Sequence, residues 1–133
     1  MPKIFKVAGV DEVGRGCLAG PVFAAAVILN DGIITKDITD SKKIPFKKRI
    51  LIAQYIKKNS INAVGSASVK EINKINILNA SLLSMKRALK KLKQKPSIAY
   101  IDGIFAPKNI DIKCKTFVKG DEKIISIAAA SIV

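Results

Sequence analysis

Residues 3–29 read KIFKVAGVDEVGRGCLAGPVFAAAVIL, with two apolar runs on either side of a glycine-rich segment. The first run becomes continuously apolar and then leads into Asp11 and Glu12, which is typical of a buried strand that runs out into carboxylates. A glycine-rich turn follows, and Val22–Leu29 has the composition of a second buried strand. The stretch therefore predicts two buried strands joined by a turn rich in glycine.

The rest of the chain alternates between helical and extended patterns. Apolar residues recur at helical spacing over residues 46–58 and 68–93, and a capping box of Ser68 and Glu71 begins the second and longest of these helices. Pro45 suits the first helical position of the other. Further elements are predicted as strands over residues 61–69, 97–101 and 114–118 and as a small-residue helix over residues 123–133. This order predicts one α/β domain, residues 1–133, in which helices flank a mixed central sheet.

Charge and residue usage narrow the chemistry. The chain of 133 residues carries 24 Lys and Arg against 10 Asp and Glu, a formal net charge of +14, and it has no His. The lack of His excludes a Ser-His-Asp triad, a Cys-His nucleophile and a His-ligated zinc ion. The two cysteines, Cys17 and Cys114, are expected to be buried thiols of a reducing compartment. The charge predicts attraction to nucleic acid, although a generally lysine-rich composition would produce the same charge.

The sequence contains no pattern typical of export or membrane insertion. The first residues lack a long apolar region behind their charges, and the longest apolar runs are too short to span a bilayer. We therefore expect a cytoplasmic monomer with no membrane partner.

Three groups of acidic residues follow apolar runs: Asp11 with Glu12, then Asp102, then Asp121. Strand ends at one edge of a sheet lie close together, which is where sites form in α/β proteins. Gathered carboxylates repel one another, and a divalent cation relieves this repulsion, with oxygen ligands selecting Mg²⁺ or Mn²⁺. Two such ions about 4 Å apart would suit phosphodiester cleavage. The alternative is that each Asp is only a turn residue or a helix cap.

Arginine is rare in this chain, and one arginine follows the first acidic pair. Only Arg15, Arg49 and Arg87 occur among the basic residues, so each suggests a position where a planar guanidinium is needed. Gly14 and Gly16 flank Arg15. Glycines let the backbone approach a ligand closely, and exposed N–H groups bind phosphate or sugar hydroxyls. The alternative is a tight turn between two strands.

Longer motifs resemble one family. Residues 9–22, GVDEVGRGCLAGPV, resemble the N-terminal signature of bacterial ribonuclease HII. Its later motifs are similar, in the same order, to residues 40–43 (DSKK), 100–103 (YIDG), 119–121 (KGD) and 126–133 (SIAAASIV). The related ribonuclease HIII family looks different where Arg15 lies.

This resemblance implies a ribonuclease H-like fold and a metal-dependent endonuclease. Such an enzyme cuts the RNA strand of RNA–DNA hybrids and incises at single ribonucleotides embedded in duplex DNA, leaving 5′-phosphate and 3′-hydroxyl ends. The family holds Mg²⁺ or Mn²⁺ with four acidic catalytic residues, which correspond here to Asp11, Glu12, Asp102 and Asp121.

The resemblance also implies a set of substrate contacts. The family's Gly-Arg-Gly loop, here Gly14, Arg15 and Gly16, reads the ribose 2′-hydroxyl, the group that distinguishes RNA from DNA. Ser41 and Lys42 are expected to contact the substrate backbone, and a helix-entry cap explains these two residues nearly as well.

Members of this family continue for tens of residues beyond the motif that ends at Val133, and their further part carries a tyrosine that packs against the junction sugar. We therefore expect a C-terminally truncated chain that folds poorly alone and has weak or no activity. Two other functions remain open: a basic nucleic-acid-binding domain without catalysis, and an inactive remnant of such an enzyme.

Overall fold

The computed structural model describes residues 6–13, 20–30, 38, 45–120 and 125–132, and in these ranges the chain forms five strands and three helices. In chain order the elements are β1 (Val7–Val13), β2 (Val22–Leu29), α1 (Phe46–Lys58), β3 (Ser60–Ala67), α2 (Val69–Lys91), β4 (Ile98–Asp102), β5 (Lys113–Phe117) and α3 (Ile125–Ile132).

The strands form one mixed sheet in the order β3-β2-β1-β4-β5. β2 is antiparallel to both β1 and β3, whereas β4 is parallel to β1 and to β5. Strands that run in parallel require a long crossover connection, and α2 provides one between β3 and β4. The predicted class, a mixed central sheet flanked by helices, is confirmed.

Both faces of the sheet are covered, which explains the unbroken apolar run of β2. Because successive side chains of a strand point to opposite faces, Ala24 and Ala26 join the buried cluster beneath α2. Ala25 and Val27 join the cluster formed with α1 and α3 on the other face. The small side chains of β2 leave room for helix backbones on both sides of the sheet.

Two glycines mark where helix backbones touch the sheet. A Cβ added to Gly9 in β1 would lie 2.0 Å from the carbonyl carbon of Ser126 in α3. A Cβ added to Gly65 in β3 would lie 2.2 Å from the carbonyl oxygen of Ser84 in α2. Both contacts are to backbone atoms, which cannot rotate away as a flexible side chain can. Each helix is therefore seated at a distance that only glycine permits.

We expect Gly9→Ala and Gly65→Ala each to lower the free energy of unfolding by about 1–3 kcal/mol or more, because the added methyl group overpacks a helix–sheet contact. Gly20→Ala is the control, since its added Cβ meets no atom within 4 Å. Urea unfolding followed by circular dichroism measures all three. Equal stability of the three variants would contradict the close-approach argument.

The beginning of α2 is held by a network around Glu71. The predicted capping box is present: the Ser68 hydroxyl accepts a hydrogen bond from the Glu71 backbone N–H, and the Glu71 carboxylate accepts one from the Ser68 N–H. Arg87 donates to both Glu71 carboxylate oxygens, at 2.7 and 2.6 Å, and also to the Ser66 carbonyl at 2.8 Å. The need for a planar guanidinium at Arg87 is thereby confirmed, although the sequence did not indicate its partner.

This ion pair requires α2 to bend. On a straight helix, residues separated by 16 positions, as Glu71 and Arg87 are, would lie about 24 Å apart along the axis. The bend occurs at Asn76, whose φ of 72° and ψ of 169° interrupt the helical backbone. The Asn76 side chain accepts a hydrogen bond from the Asn79 N–H at 2.9 Å, so it caps the longer second segment. The continuous helix expected over residues 68–93 is therefore two segments.

The Glu71–Arg87 pair should make stability depend on pH in acid. The pKa of Glu71 is lowered from 4.5 to about 2, chiefly by the hydrogen bonds from Arg87 and then by the Ser68 N–H. A carboxylate with a lowered pKa in the folded state stabilises the protein above its unfolded pKa, and this contribution is lost as the pH falls through the folded pKa. We expect the stability difference between the natural chain and Glu71→Gln to be constant above about pH 5 and to shrink toward pH 2.

Urea unfolding at a series of pH values measures this difference. Asp111→Asn serves as a control for an exposed ion pair, since Asp111 pairs with Lys95 outside the α2 bend. If the stability difference between the natural chain and Glu71→Gln does not change with pH, the ion pair does not hold the two segments of α2 together.

Several details differ from the predictions. Pro45 is the N-cap of α1, with extended backbone angles, and is not its first helical residue. Asp11 and Glu12 lie inside β1, since pairing with β2 continues to Val13. Cys114 is a free thiol that is only half buried, while Cys17 lies outside the described residues. No helix in the described part of the chain is long and apolar enough to cross a membrane.

Candidate active site

Asp11 and Asp102 lie side by side at one end of the sheet. β1 and β4 are parallel neighbours, and their last paired positions are Val10 and Ile101. The next residue in each strand is an aspartate. Asp102 is also the last residue of β4. The structure thus brings together two of the predicted acidic groups, which are 91 residues apart in the chain, at the carboxyl ends of adjacent strands.

The two aspartates also share a face of the sheet. Val10 and Ile101 belong to the cluster beneath α2, so the alternation of side chains directs Asp11 and Asp102 to the opposite face, on the side of α3. Glu12 follows the alternation of Val10 and lies on the α2 side. Both Asp11 and Glu12 are half buried, and one Glu12 carboxylate oxygen has no contact with solvent.

A backbone hydrogen bond joins Asp102 to the segment that precedes α3. The Gly120 N–H donates to Oδ1 of Asp102 at 2.8 Å, and Gly120 is buried. A Cβ at this glycine would lie 2.7 Å from the Ile127 Cδ1 atom and 3.4 Å from the Asp102 Oδ1 atom. A residue larger than glycine would therefore crowd this contact. The hydrogen bond from Gly120 holds one carboxylate oxygen of Asp102 in place at the end of β4.

The neighbouring strand supports this position with aromatic packing. Phe117 of β5 is the register partner of Asp102, and its ring meets Tyr100 edge-on with centroids 5.0 Å apart. The Lys115 ammonium lies 5.4 Å from the Phe117 ring centroid. These contacts stiffen the end of β4. Lys115 lies on β5, the edge strand that is paired with β4 and its Asp102.

The described residues account for only part of the predicted site. Among them, no group of three or more Cys, Asp or Glu side chains lies together as a potential metal-binding set. Asp11 and Asp102 are neighbours, whereas Glu12 is directed to the other face. The remaining predicted residues lie outside the described ranges: Gly14, Arg15, Gly16, Ser41, Lys42 and Asp121. Asp121 directly follows Gly120, the hydrogen-bond donor to Asp102.

The chemistry of the donor set suits a hard divalent cation. The chain has no His. Cys114 packs on the α2 side of the sheet, and burial raises the pKa of its thiol, so it remains protonated and is a poor metal ligand. Carboxylate oxygens are the ligands that Mg²⁺ and Mn²⁺ prefer. The residues present at this sheet end therefore fit such an ion.

Comparison with known proteins identifies the family of this chain. A model of the ribonuclease HII family matches residues 8–133. The chain belongs to the ribonuclease HII family. The matched region includes both aspartates and Gly120.

Curated ribonuclease HII proteins are similar over nearly the whole chain. The ribonuclease HII of Pelagibacter ubique (strain HTCC1062) is 60% identical over 127 residues, which cover 96% of this chain and 68% of the relative. That of Paracoccus denitrificans (strain Pd 1222) is 50% identical over 127 residues, covering 96% of this chain and 60% of the relative. The chain thus spans 60–68% of the length of these two proteins.

A solved structure shares the fold. The crystal structure of the ribonuclease H2 from Pyrococcus horikoshii OT3 matches with a TM-score of 0.80 at 27% sequence identity, covering 96% of this chain and 69% of that chain. The resemblance to a ribonuclease H-like fold is therefore confirmed.

Sequence reasoning missed the structural role of Gly120 and of the Tyr100–Phe117 pair. Gly120 lies in the KGD motif, so its presence was visible, but nothing in the motif indicates that its N–H binds Asp102. The aromatic pair joins residues from separate strands, and only the register of β4 with β5 brings them together.

We expect Mn²⁺ to raise the free energy of unfolding of the natural chain, because a ligand that binds only the folded state stabilises it. Asp11→Asn and Asp102→Asn should lose most of this stabilisation, since each removes one negative charge from the site. In Asp102→Asn the side-chain oxygen can still accept the hydrogen bond from the Gly120 N–H, so the variant should still fold. Thermal unfolding with increasing Mn²⁺ measures the effect.

Asp111→Asn is the matched control, because Asp111 is fully exposed and pairs with Lys95. It should retain the full response to Mn²⁺. An undiminished response in both site variants would show that the aspartates do not hold the ion.

Proposed function

We propose that this chain is an endoribonuclease that hydrolyses the RNA strand of RNA–DNA hybrids and incises at ribonucleotides embedded in duplex DNA. One observation carries the proposal: Asp11 and Asp102 directly follow Val10 and Ile101, the last paired positions of two adjacent parallel strands. Membership of the ribonuclease HII family and the net charge of +14 support a nucleic-acid substrate.

In this proposal the acidic residues form a binding site for Mg²⁺ or Mn²⁺. Asp11 and Asp102 supply carboxylates from one face of the sheet. Asp121 and Glu12 would complete the set, with the longer Glu12 side chain reaching the ions from the other face at the end of β1. Bound divalent ions would supply an activated water and would stabilise the leaving 3′-oxygen. The Gly120 N–H orients Asp102 through its hydrogen bond to Oδ1, so this carboxylate needs little reorganisation when substrate arrives. The products carry a 5′-phosphate and a 3′-hydroxyl.

Recognition of RNA is assigned to the loop that follows β1. Gly14, Arg15 and Gly16 follow Val13, the last residue of β1, in the chain. Backbone N–H groups and the Arg15 guanidinium would bind the ribose 2′-hydroxyl and its phosphate. Ser41 and Lys42 would contact the substrate backbone.

A second candidate is a nucleic-acid-binding domain without catalysis. One observation favours it: the net charge of +14 predicts attraction to nucleic acid whether or not the chain cleaves it. In that case the basic surface would bind a duplex, and the aspartates would serve only the fold.

The deciding experiment is incision of a DNA duplex that contains one ribonucleotide, with Mg²⁺ or Mn²⁺, beside an all-DNA duplex of the same sequence. We expect incision only at the ribonucleotide. Asp11→Asn and Asp102→Asn should reduce the rate by about 100-fold or more, since each removes a charge that neutralises the metal ions. Asp111→Asn should cleave at the natural rate.

The two candidates give different outcomes in the same assay. Binding of the duplex without incision by the natural chain supports the non-catalytic domain. Incision that survives in both aspartate variants contradicts the proposed site. Duplex binding should persist in those variants, because each removes a negative charge that faces phosphates.

A further inference from the structure

A groove runs between α2 and the segment that follows β4. Its volume is about 400 Å³, within the range typical of ligand sites, about 300–1,000 Å³. Apolar side chains form much of its lining, including Leu78 and Leu82 on α2 and Phe105 on the facing segment. Its polar side chains are Asn79, Lys86 and Lys108. The lining contains no acidic residue.

The groove lies at the sheet end that carries the aspartates, on the opposite face, because Leu82 and Ala106 pack on the α2 side of the sheet. The facing segment, residues 105–108, forms its outer wall. This segment begins three residues after Asp102 in the chain. The inner wall of the groove belongs to the part of α2 that packs against Val22. Val22 begins β2, beside the pair formed by Val13 of β1 and Phe23, so this part of α2 lies at the same end of the sheet.

The bend in α2 shapes the inner wall. The groove lining includes residues on both sides of Asn76, from Ile75 to Lys86, and Asn79 in this wall makes two hydrogen bonds. Its backbone N–H donates to the Asn76 side chain at 2.9 Å, and its side-chain amide donates to the Ile75 carbonyl at 3.0 Å. These hydrogen bonds hold the α2 wall of the groove in place.

The lining combines an exposed aromatic ring with two cations. Phe105 keeps 55% of its surface exposed, although exposing a large apolar side chain is unfavourable. An aromatic side chain beside basic residues is the combination that binds single-stranded nucleic acid, because bases stack on the ring while the phosphates meet the cations. Charge complementarity therefore favours a polyanion with flat apolar faces as the occupant.

We propose that this groove binds an unpaired stretch of nucleic acid that flanks the cleavage site of the substrate. Bases stack on Phe105, the aliphatic side chains of α2 form the floor, and phosphates lie against Lys86 and Lys108. The groove then favours substrates in which a single-stranded overhang lies next to the ribonucleotide duplex. This inference rests on the proposed nucleic-acid substrate and adds a specificity that the aspartate site does not provide.

The test compares binding of a blunt duplex with binding of the same duplex bearing a 5′ or a 3′ overhang of deoxythymidines, measured by fluorescence anisotropy. Each duplex carries one ribonucleotide near that end. Stacking on an aromatic side chain changes affinity by about five- to 150-fold per base. We therefore expect one of the two overhangs to bind the natural chain about tenfold more tightly than the blunt duplex.

Variants assign that gain to the groove. Phe105→Ala should remove most of it, Phe105→Tyr should restore it, and affinity for the blunt duplex should be unchanged in both. Lys86→Gln with Lys108→Gln should also remove it and should lower the slope of log affinity against log salt for the overhang by about 1.4, as expected for two contacts to single-strand phosphates.

The matched control replaces Lys57 and Lys58 by Gln, because these exposed lysines of the last turn of α1 carry the same charge as the pair in the groove. This control should keep the overhang gain. A natural chain that binds overhang and blunt duplex equally would overturn the groove proposal, even if it incises at ribonucleotides. A gain that disappears in the groove variants would support the proposal even if no incision is seen.

Discussion

Gly9 carries no side chain at the point where α3 crosses β1, and the fold depends on the absence of a Cβ atom there. The backbone of Ser126 lies where a Cβ would be, at 2.0 Å. Because α3 sits this close to the sheet, Ile127 lies against Gly120, whose N–H donates to Asp102 at 2.8 Å. Gly65 gives α2 the same close approach on the opposite face. The candidate site is therefore a consequence of helix–sheet distance as much as of the acidic residues themselves.

The second constraint is the bend in α2. Glu71 and Arg87 form an ion pair across 16 positions of the chain, which only an interrupted helix permits. Asn76 provides the interruption with a positive φ, a conformation that asparagine tolerates better than most residues, and then caps the segment that follows. The same bend shapes the groove that contains Phe105, Lys86 and Lys108. One local interruption thus contributes both to the stability of the fold and to a groove at the same end of the sheet as the aspartates, on the opposite face.

Much of the fold was accessible from the sequence because its signals are local. The apolar run of β2, the Ser68–Glu71 capping box and the helical spacing of α1 each depend on residues within a few positions of one another, and all three occur in the structure as predicted. The sequence predicted that the acidic strand ends lie close together, but not the register that sets Asp11 beside Asp102. That register depends on the pairing of strands separated by more than 80 residues, and no local pattern encodes that pairing. The roles of Glu12 and Asp121, the loop around Arg15, and the contacts of Ser41 and Lys42 stay predictions.

By itself the sequence determined the chemistry available to this protein. The chain has no His, so its 10 acidic residues are the side chains that suit a divalent cation, and its net charge of +14 favours binding to a polyanion. The motif around Asp11 resembles the ribonuclease HII family. Tertiary structure alone decided which of those residues meet. It brought Asp102 beside Asp11, directed Glu12 to the opposite face, and tied Asp102 to Gly120. The physical reason is that composition and motif are properties of a chain, whereas proximity arises from strand register and from how closely a helix packs on a sheet.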